Sequence, residues 1–132
     1  MKIWYESKLS TTHPDLQKVF RAACSKLPFD VQVVETDRSA QQAAANLKSG
    51  KSQTTRSRHV KSNNECKMAC AIDAAPRLAN GTIPWKRLDL FQAINKAMMD
   101  AAAELKIPIE WGGNWKTFKD MDHWQLPWKQ YP

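Results

Sequence analysis

The sequence predicts an α+β fold in which helices flank a small antiparallel sheet. Three segments repeat apolar residues at the spacing of an amphipathic helix. Four shorter segments, between and after them, have the length and composition of strands. The chain has 132 residues, a length that suits one domain with one hydrophobic core. We therefore expect residues 1–132 to form a single domain.

The first half of the chain predicts a helix, a strand and a second helix. Residues 14–26 place apolar side chains at helical spacing, after a start that Thr12 can cap and that Pro14 favours. Residues 29–35 alternate and are rich in valine, which is typical of a strand. A polar turn follows, and a narrow alanine-rich face then predicts a helix over residues 39–48.

The second half predicts a polar loop, three strands and one long helix. Residues 51–68 are polar and basic, which is the composition of a loop. Residues 69–75 are small and apolar apart from one aspartate, which indicates a short buried strand. One apolar face predicts a helix over residues 85–105. Two short strands, at residues 107–111 and 122–126, complete the predicted sheet.

The chain is basic, with 20 lysines and arginines against 13 acidic residues and a net charge of +7. This excess favours a polyanionic partner such as nucleic acid, an anionic membrane surface or an acidic cell-wall polymer. No run approaches the roughly 18 apolar residues of a membrane span. The first residues lack the apolar region of a signal peptide, so we expect synthesis in a cytoplasm.

Three cysteines, an odd number, argue against a disulfide framework. We expect buried or free thiols in a reducing compartment. Cys66 and Cys70 lie four positions apart, so a local bridge between them is the alternative.

Two histidines and one aspartate suggest a metal site. Asp73 stands among small apolar residues of a predicted buried strand, where an unpaired charge is costly and a metal ion would be a suitable partner. His59 precedes it and His123 follows it in the chain. Zinc accepts these three ligands and, as in catalytic sites, leaves a fourth position open for water. Asp120 lies three residues before His123, so a second carboxylate can reach that water.

The spacing around these residues resembles a known signature. Ser57-x-His59, Ala71-Ile72-Asp73 and Asp120-x-x-His123 are similar to the motif of the D-alanyl-D-alanine carboxypeptidase-like zinc peptidases, and the nearer match is their phage-endolysin branch, the L-alanyl-D-glutamate peptidases. Flanking pieces keep the same order across residues 13–126, namely His13-Pro14-Asp15-Leu16, Arg38-Ser39, Gly50-Lys51-Ser52-Gln53-Thr54, Trp111-Gly112-Gly113 and Phe118-Lys119-Asp120.

The resemblance implies a role for each residue of the signature. His59, Asp73 and His123 would bind zinc in a cleft on one face of the sheet. Asp120 would act as general base and later as the acid that protonates the leaving amine. Arg38 would polarise the scissile carbonyl and stabilise the oxyanion, although a surface residue at a helix start is its structural alternative.

The resemblance also implies substrate contacts for Ser57 and Trp115. Ser57 would bind substrate or brace its loop, and the alternative is an ordinary turn hydroxyl. Trp115 would form a wall of the cleft, although a buried core position is an equal alternative.

Two departures from the family pattern raise expectations of their own. Asp73 follows His59 by 14 positions, more than in the common form, so the extra piece near residues 61–68 must loop out and return. Asp122 is a rival to Asp120 as the base. Because neighbouring strand residues face opposite sides, we expect Asp122 to point away from a zinc site that contains His123.

The resemblance implies one zinc peptidase domain that hydrolyses the L-Ala–D-Glu bond of the peptidoglycan stem peptide. A D-Ala–D-Ala carboxypeptidase or dipeptidase is the alternative enzyme, because the same chemistry serves both bonds. The alternative from another class is a basic, metal-stabilised nucleic-acid-binding domain, which would need a closed site of four protein ligands.

The expected setting is phage lysis of a bacterial cell. We expect a monomer, made in the host cytoplasm, that reaches the cell wall after a separate protein has permeabilised the membrane. The positive charge suits an anionic wall or outer-membrane surface.

Overall fold

One five-stranded sheet organises the part of the protein that the computed structural model describes, residues 2–50, 57–117 and 119–132. Its strands, in the spatial order β1-β2-β3-β5-β4, are β1 (Ile3–Trp4), β2 (Asp30–Glu35), β3 (Ala71–Arg77), β4 (Glu110–Trp111) and β5 (His123–Gln125). All neighbours pair antiparallel except β1, which runs parallel to β2. The predicted α+β class is confirmed, and β1 is an edge strand that was not predicted.

Within the described residues, three α-helices accompany the sheet: α1 (Pro14–Cys24), α2 (Ala40–Lys48) and α3 (Leu88–Leu105). Short 3₁₀ turns cover Glu6–Thr11, Lys61–Asn63 and Gly112–Asn114. The third helix starts three residues later than predicted, because the Arg87 amide bonds to the Pro84 carbonyl in a turn. No helix within the described ranges is long and apolar enough to cross a bilayer.

The start of α1 differs from the prediction at one position. His13, and not Thr12, is the N-cap: its Nδ1 atom accepts a hydrogen bond from the Asp15 amide at 3.0 Å. Thr12 is buried and extended, and it forms a parallel bridge with Ala69. The cap therefore moves by one residue because Thr12 is already engaged in a β-bridge. Pro14 still occupies the first helical position, as expected.

Two predicted strands differ from the observed strands at their ends. The strand predicted at 69–75 lies at Ala71–Arg77, since Pro76 continues the pairing with β2 opposite Val31. The strand predicted at 107–111 is reduced to Glu110–Trp111. The cause is the Ile107 amide, which bonds to the Ala102 carbonyl and so completes the end of α3.

The two faces of the sheet have different chemistry. One face packs on α1 and α3 in a core that includes Val31 and Val33 of β2, Ile72 of β3 and Trp124 of β5. Strand alternation sends the neighbouring polar residues of β3 and β5 to the opposite face. The hydrophobic core thus fixes the sheet from one side and leaves the other side for the polar site.

All three cysteines are free thiols, as favoured from the sequence. Cys24 and Cys70 are buried, and burial raises the pKa of each thiol to about 12. The Sγ atoms of Cys66 and Cys70 lie 3.6 Å apart, well beyond the roughly 2.05 Å of a disulfide bond.

Candidate metal centre and active site

Three elements bring the expected zinc ligands to the polar face of the sheet. Asp73 on β3 is the direct partner of His123 on β5, so the two side chains lie next to each other on the same face. His59 comes from the loop that precedes β3, and the Arg38 amide donates a 2.8 Å hydrogen bond to its carbonyl. All three ligand candidates are buried.

The insertion between the first two ligand candidates folds back onto the loop that contains His59. The Arg58 guanidinium donates to the Asn64 side-chain oxygen at 2.7 Å, and it lies 3.9 Å above the Trp128 ring. The Asn64 amide nitrogen donates in turn to the carbonyls of Arg58 and Met68. These buried contacts let residues 61–68 loop out and return, as the longer spacing required.

The side-chain donor atoms of the three ligand candidates converge on one point. The Asp73 Oδ1 atom lies 3.1 Å from His59 Nε2 and 3.0 Å from His123 Nδ1. The two ring nitrogens lie 3.2 Å from each other. Three potential ligand atoms therefore form a nearly equilateral triangle in a buried site.

Hydrogen bonds on the far side of each ring define which nitrogen is free. His59 Nδ1 lies 2.6 Å from the Thr36 carbonyl, which can only accept, so this nitrogen has the proton. His123 Nε2 lies 2.8 Å from the Gln125 Oε1 atom. The Gln125 amide nitrogen donates to the Glu110 carboxylate at 3.2 Å, which orients the amide oxygen towards His123. In the neutral rings, both inner nitrogens present lone pairs to Asp73.

This donor set fits a zinc ion. Three lone-pair donors that face one another in a buried site require a cation or a proton between them. Zinc binds histidine nitrogen and carboxylate oxygen at about 2.0–2.2 Å, and tetrahedral geometry then separates the ligand atoms by about 3.3–3.6 Å. The observed separations of 3.0–3.2 Å are close to that value. Within the described residues this group offers three ligands and not the four of a closed structural site.

A proton competes with a metal for the same nitrogen. Burial opposes a charged imidazole, but the hydrogen bond to Asp73 and the Asp73 charge outweigh it and raise the pKa of His123 above its ordinary value. Burial also opposes the Asp73 carboxylate, yet the charge of a protonated His59 and the hydrogen bonds that protonated rings donate hold its pKa well below the usual range. A metal ion that binds the inner nitrogen of His123 would therefore displace any proton held there.

Both C-terminal aspartates reach the site, and the expectation that Asp122 would point away is wrong. Carboxylate oxygens of Asp73, Asp120 and Asp122 all lie within 4.8 Å of one another. Asp122 precedes the first residue of β5, so strand alternation does not govern its direction. Burial raises the pKa of Asp122 to about 9, and its hydrogen bond with Asp120 and the nearby carboxylate charges add to this effect. The surroundings of Asp122 thus favour the neutral form of its carboxyl group.

The backbone of Asp120 lies against Gly112. The Asp120 amide donates to the Gly112 carbonyl at 3.0 Å, and the His123 amide bonds to the Asp120 carbonyl at 3.3 Å. A Cβ atom at position 112 would lie 2.4 Å from the Asp120 carbonyl oxygen, which only glycine avoids. The 3₁₀ turn Gly112–Asn114 therefore determines where Asp120 enters the site.

The Arg38 guanidinium lies beside the ligand group. It forms a two-pronged ion pair with Glu35, from Nε at 2.8 Å and from Nη2 at 2.7 Å. Its Nη1 atom lies 3.4 Å from the Ser57 hydroxyl, and its Nη2 atom lies 4.0 Å from Asp73 Oδ2. The hydrogen bond with Glu35 is the main cause that raises the pKa of Arg38. The sequence placed Arg38 far from the ligands, and the fold brings it next to them.

Ser57 and Trp115 also lie at the site. The buried Ser57 hydroxyl accepts from the His59 amide at 3.2 Å as well as from Arg38. Trp115 is half-buried, and its ring centroid lies 5.1 Å from that of His123 at a tilt of 48°. Trp111 and Trp124 stack on each other away from the ligands, with both side chains in the core.

Sequence reasoning missed the three groups that orient the site: Gln125, Glu35 and the Thr36 carbonyl. Gln125 had a usable signal, because it follows His123 by two positions in a predicted strand and so shares its face. Glu35 ends the first predicted strand and Thr36 begins the turn after it, and the sequence shows no periodicity that would turn them towards the site.

Comparisons with known proteins identify the family of the chain. Residues 3–125 match the family described as phage L-alanyl-D-glutamate peptidase. The chain is 36% identical over 118 residues to the L-alanyl-D-glutamate peptidase of Escherichia phage T5, across 87% of this chain and 80% of that protein. It is 34% identical over 104 residues to the L-alanyl-D-glutamate peptidase of Listeria phage A118, across 78% of this chain but 32% of that longer protein.

A solved structure has the same fold over nearly the full length. The crystal structure of the Serratia marcescens L-Ala D-Glu endopeptidase ChiX matches with a TM-score of 0.85 and 34% sequence identity, covering 98% of this chain and 92% of that one. Family, relatives and fold therefore coincide: the chain belongs to the phage L-alanyl-D-glutamate peptidase family and is a peptidase.

Proposed function

We propose that the chain is a single catalytic domain that uses zinc to hydrolyse the L-Ala–D-Glu bond of the peptidoglycan stem peptide. The observation that supports this most directly is the convergence of His59 Nε2, Asp73 Oδ1 and His123 Nδ1 within 3.2 Å of one another. An arginine and two further carboxylates surround that point. Membership of the family supports the choice of bond.

The protein residues divide the chemistry among them. His59, Asp73 and His123 hold zinc, which when bound polarises a carbonyl and lowers the pKa of a water molecule. Asp120 accepts the proton from the attacking water and later donates it to the leaving amine. Asp122, whose pKa burial raises to about 9, donates a hydrogen bond to Asp120 and so helps to orient it.

Arg38 binds the oxygen of the scissile carbonyl as negative charge develops on it. Its guanidinium is nearly buried, with 11% of the side chain exposed, which strengthens its interaction with that charge. Ser57 holds both Arg38 and the His59 amide, so it braces the loop as well as bordering the substrate. Trp115 forms a wall of the cleft beside His123.

The cellular role that follows is lysis of a bacterial host by a phage. Peptidoglycan is the substrate, and the net charge of +7 favours approach to an anionic wall. A separate protein that permeabilises the membrane would let the enzyme pass from the cytoplasm to the wall. The enzyme acts there as a monomer.

Digestion of purified peptidoglycan, followed by mass spectrometry of the new termini, tests the bond that is cut. New N-terminal D-Glu residues are the expected result, and Asp120→Asn is the matched inactive control. Released D-Ala would instead identify a D-Ala–D-Ala carboxypeptidase or dipeptidase. A protein that leaves the stem peptide intact in the presence of zinc would contradict the proposal.

A further inference from the structure

Glu35 is the residue that orients Arg38. Its carboxylate accepts two parallel hydrogen bonds, from Nε and Nη2 of the guanidinium, in the fork-to-fork arrangement that is strongest for this pair. The Glu35 side chain is 30% exposed and that of Arg38 is 11% exposed, so the pair lies at the edge of the site with the guanidinium on its inner side.

A β-bulge places Glu35 on the polar face of the sheet. Val33 is the partner of Ala74, but the next pair along the strands joins Glu35 to Asp73, which leaves Val34 as an extra residue. Without the bulge, Glu35 would share the face of Val33, which is the core face. With it, Glu35 stands next to Asp73, which in turn stands next to His123.

Two carboxylates therefore compete for one guanidinium. Arg38 Nη2 lies 2.7 Å from Glu35 Oε2 and 4.0 Å from Asp73 Oδ2. Asp73 would be an equally suitable partner for the arginine fork if Glu35 were absent. An arginine in full contact with Asp73 would draw electron density from the carboxylate that the metal needs and would repel the cation.

We propose that Glu35 is a positioning residue with two effects: it holds Arg38 away from the metal ligand Asp73, and it leaves the remaining guanidinium donors free for the substrate carbonyl. Of the five N–H groups, Glu35 takes one from Nε and one from Nη2. Ser57 lies at 3.4 Å from Nη1. This inference rests on the proposed function of Asp73 and Arg38.

The test is a double-mutant cycle with Glu35→Gln, Arg38→Ala and the combined variant. Asp37→Asn is the matched control, because Asp37 is an exposed acid two residues away whose ion pair with Lys61 lies outside the site. For each protein, zinc affinity is measured by competition with a chromophoric chelator, and kcat and KM are measured on a stem-peptide fragment. Melting temperatures verify that each variant is folded.

Glu35→Gln should weaken zinc binding about 10-fold, at the lower end of the effects known for residues that orient metal ligands. It should also lower kcat more than it raises KM. The double variant Glu35→Gln/Arg38→Ala should bind zinc as tightly as Arg38→Ala alone. In both proteins no guanidinium remains to compete with the metal for Asp73. Asp37→Asn should behave as the parent protein does.

Zinc affinities that fall by the same factor with and without Arg38 would overturn the proposal, as would an unchanged affinity in Glu35→Gln. A further test uses the parent protein, so its result does not depend on whether a variant folds. The Arg38 Nε–H signal in NMR spectra should be protected from solvent exchange, and rapid exchange there would also overturn the proposal. Normal kcat in Arg38→Ala would refute only the catalytic role of Arg38. The zinc affinities of the double-mutant cycle would still test whether Glu35 holds Arg38 away from Asp73.

Discussion

His123 depends on the strand residue that follows it by two positions. Gln125 accepts from its Nε2 atom at 2.8 Å and is itself oriented by Glu110. These two hydrogen bonds keep the proton of the neutral ring on the outer nitrogen, so the lone pair of Nδ1 faces Asp73 and His59. At the scale of single residues, the orientation of His123 therefore depends on the side-chain amide of Gln125, which is not itself a ligand candidate.

Gln125→Leu should weaken zinc binding about 10–100-fold, because the outer N–H of His123 loses its acceptor and the unsuitable tautomer is no longer disfavoured. Chelator competition measures the affinity. Gln32→Leu is the matched control, since Gln32 is also a strand glutamine with a side-chain partner, Arg77, but lies outside the ligand group. Equal losses in the two variants would assign the effect to general destabilisation.

The two C-terminal aspartates should respond differently to the same change. Asp120→Asn should keep zinc yet lower kcat by about 10²–10⁴-fold, because the general base is lost. Asp122→Asn should stay within a few fold of the parent, since an amide can donate the same hydrogen bond to Asp120 that a neutral carboxyl group donates. Steady-state kinetics with parallel zinc analysis decide the matter, and the reverse pattern would make Asp122 the base.

At the scale of elements, sequence periodicity predicted the parts that follow a repeat. The helical spacing of Leu16, Val19 and Phe20 identified α1, and these residues do lie in the core. The alternation at 29–35 located β2, but the extra residue at Val34 breaks that alternation and turns Glu35 to the polar face. A bulge depends on pairing with β3, which no local pattern contains.

The same reasoning explains the other misses. The strand Ile3–Trp4 has two residues, too few to show any period, and it exists because β2 offers an edge. The direction predicted for Asp122 relied on strand alternation, but β5 begins one residue later, at His123. The ligand candidates His59, Asp73 and His123 were found from residue type and spacing, and the structure places them together, since zinc chemistry restricts which residues can serve.

If the 3₁₀ turn Gly112–Asn114 positions Asp120, a substitution within this turn should change activity. Gly112→Ala would place a Cβ atom 2.4 Å from the Asp120 carbonyl oxygen, so the backbone must move and displace Asp120, the proposed general base. We expect a strong loss of kcat with zinc retained, and a stability loss of about 1–3 kcal/mol. Asn114→Ala, an exposed change on the same turn, is the control. Turnover near that of the control would show that the turn does not position Asp120.

At the scale of the whole molecule, the ligands join parts of the chain that are distant in sequence. His59 lies in the loop before β3, Asp73 lies on β3 itself, and His123 begins β5. Helices α1 and α3 pack on the opposite face of the sheet. A bound cation would therefore add a cross-link on the side that the hydrophobic core does not reach, and metal binding should stabilise the folded protein.

Zinc should raise the melting temperature, and removal by a chelator should lower it again. At a free zinc concentration 100-fold above the dissociation constant, the folded state gains about 2.7 kcal/mol. For a chain of this length that corresponds to a shift of roughly 10 °C, which calorimetry resolves easily. Asp73→Ala should abolish the shift, because it removes the ligand that contacts both histidines. A zinc-dependent shift of full size in Asp73→Ala would mean that zinc binds elsewhere, and the ligand set would then have to be reassigned.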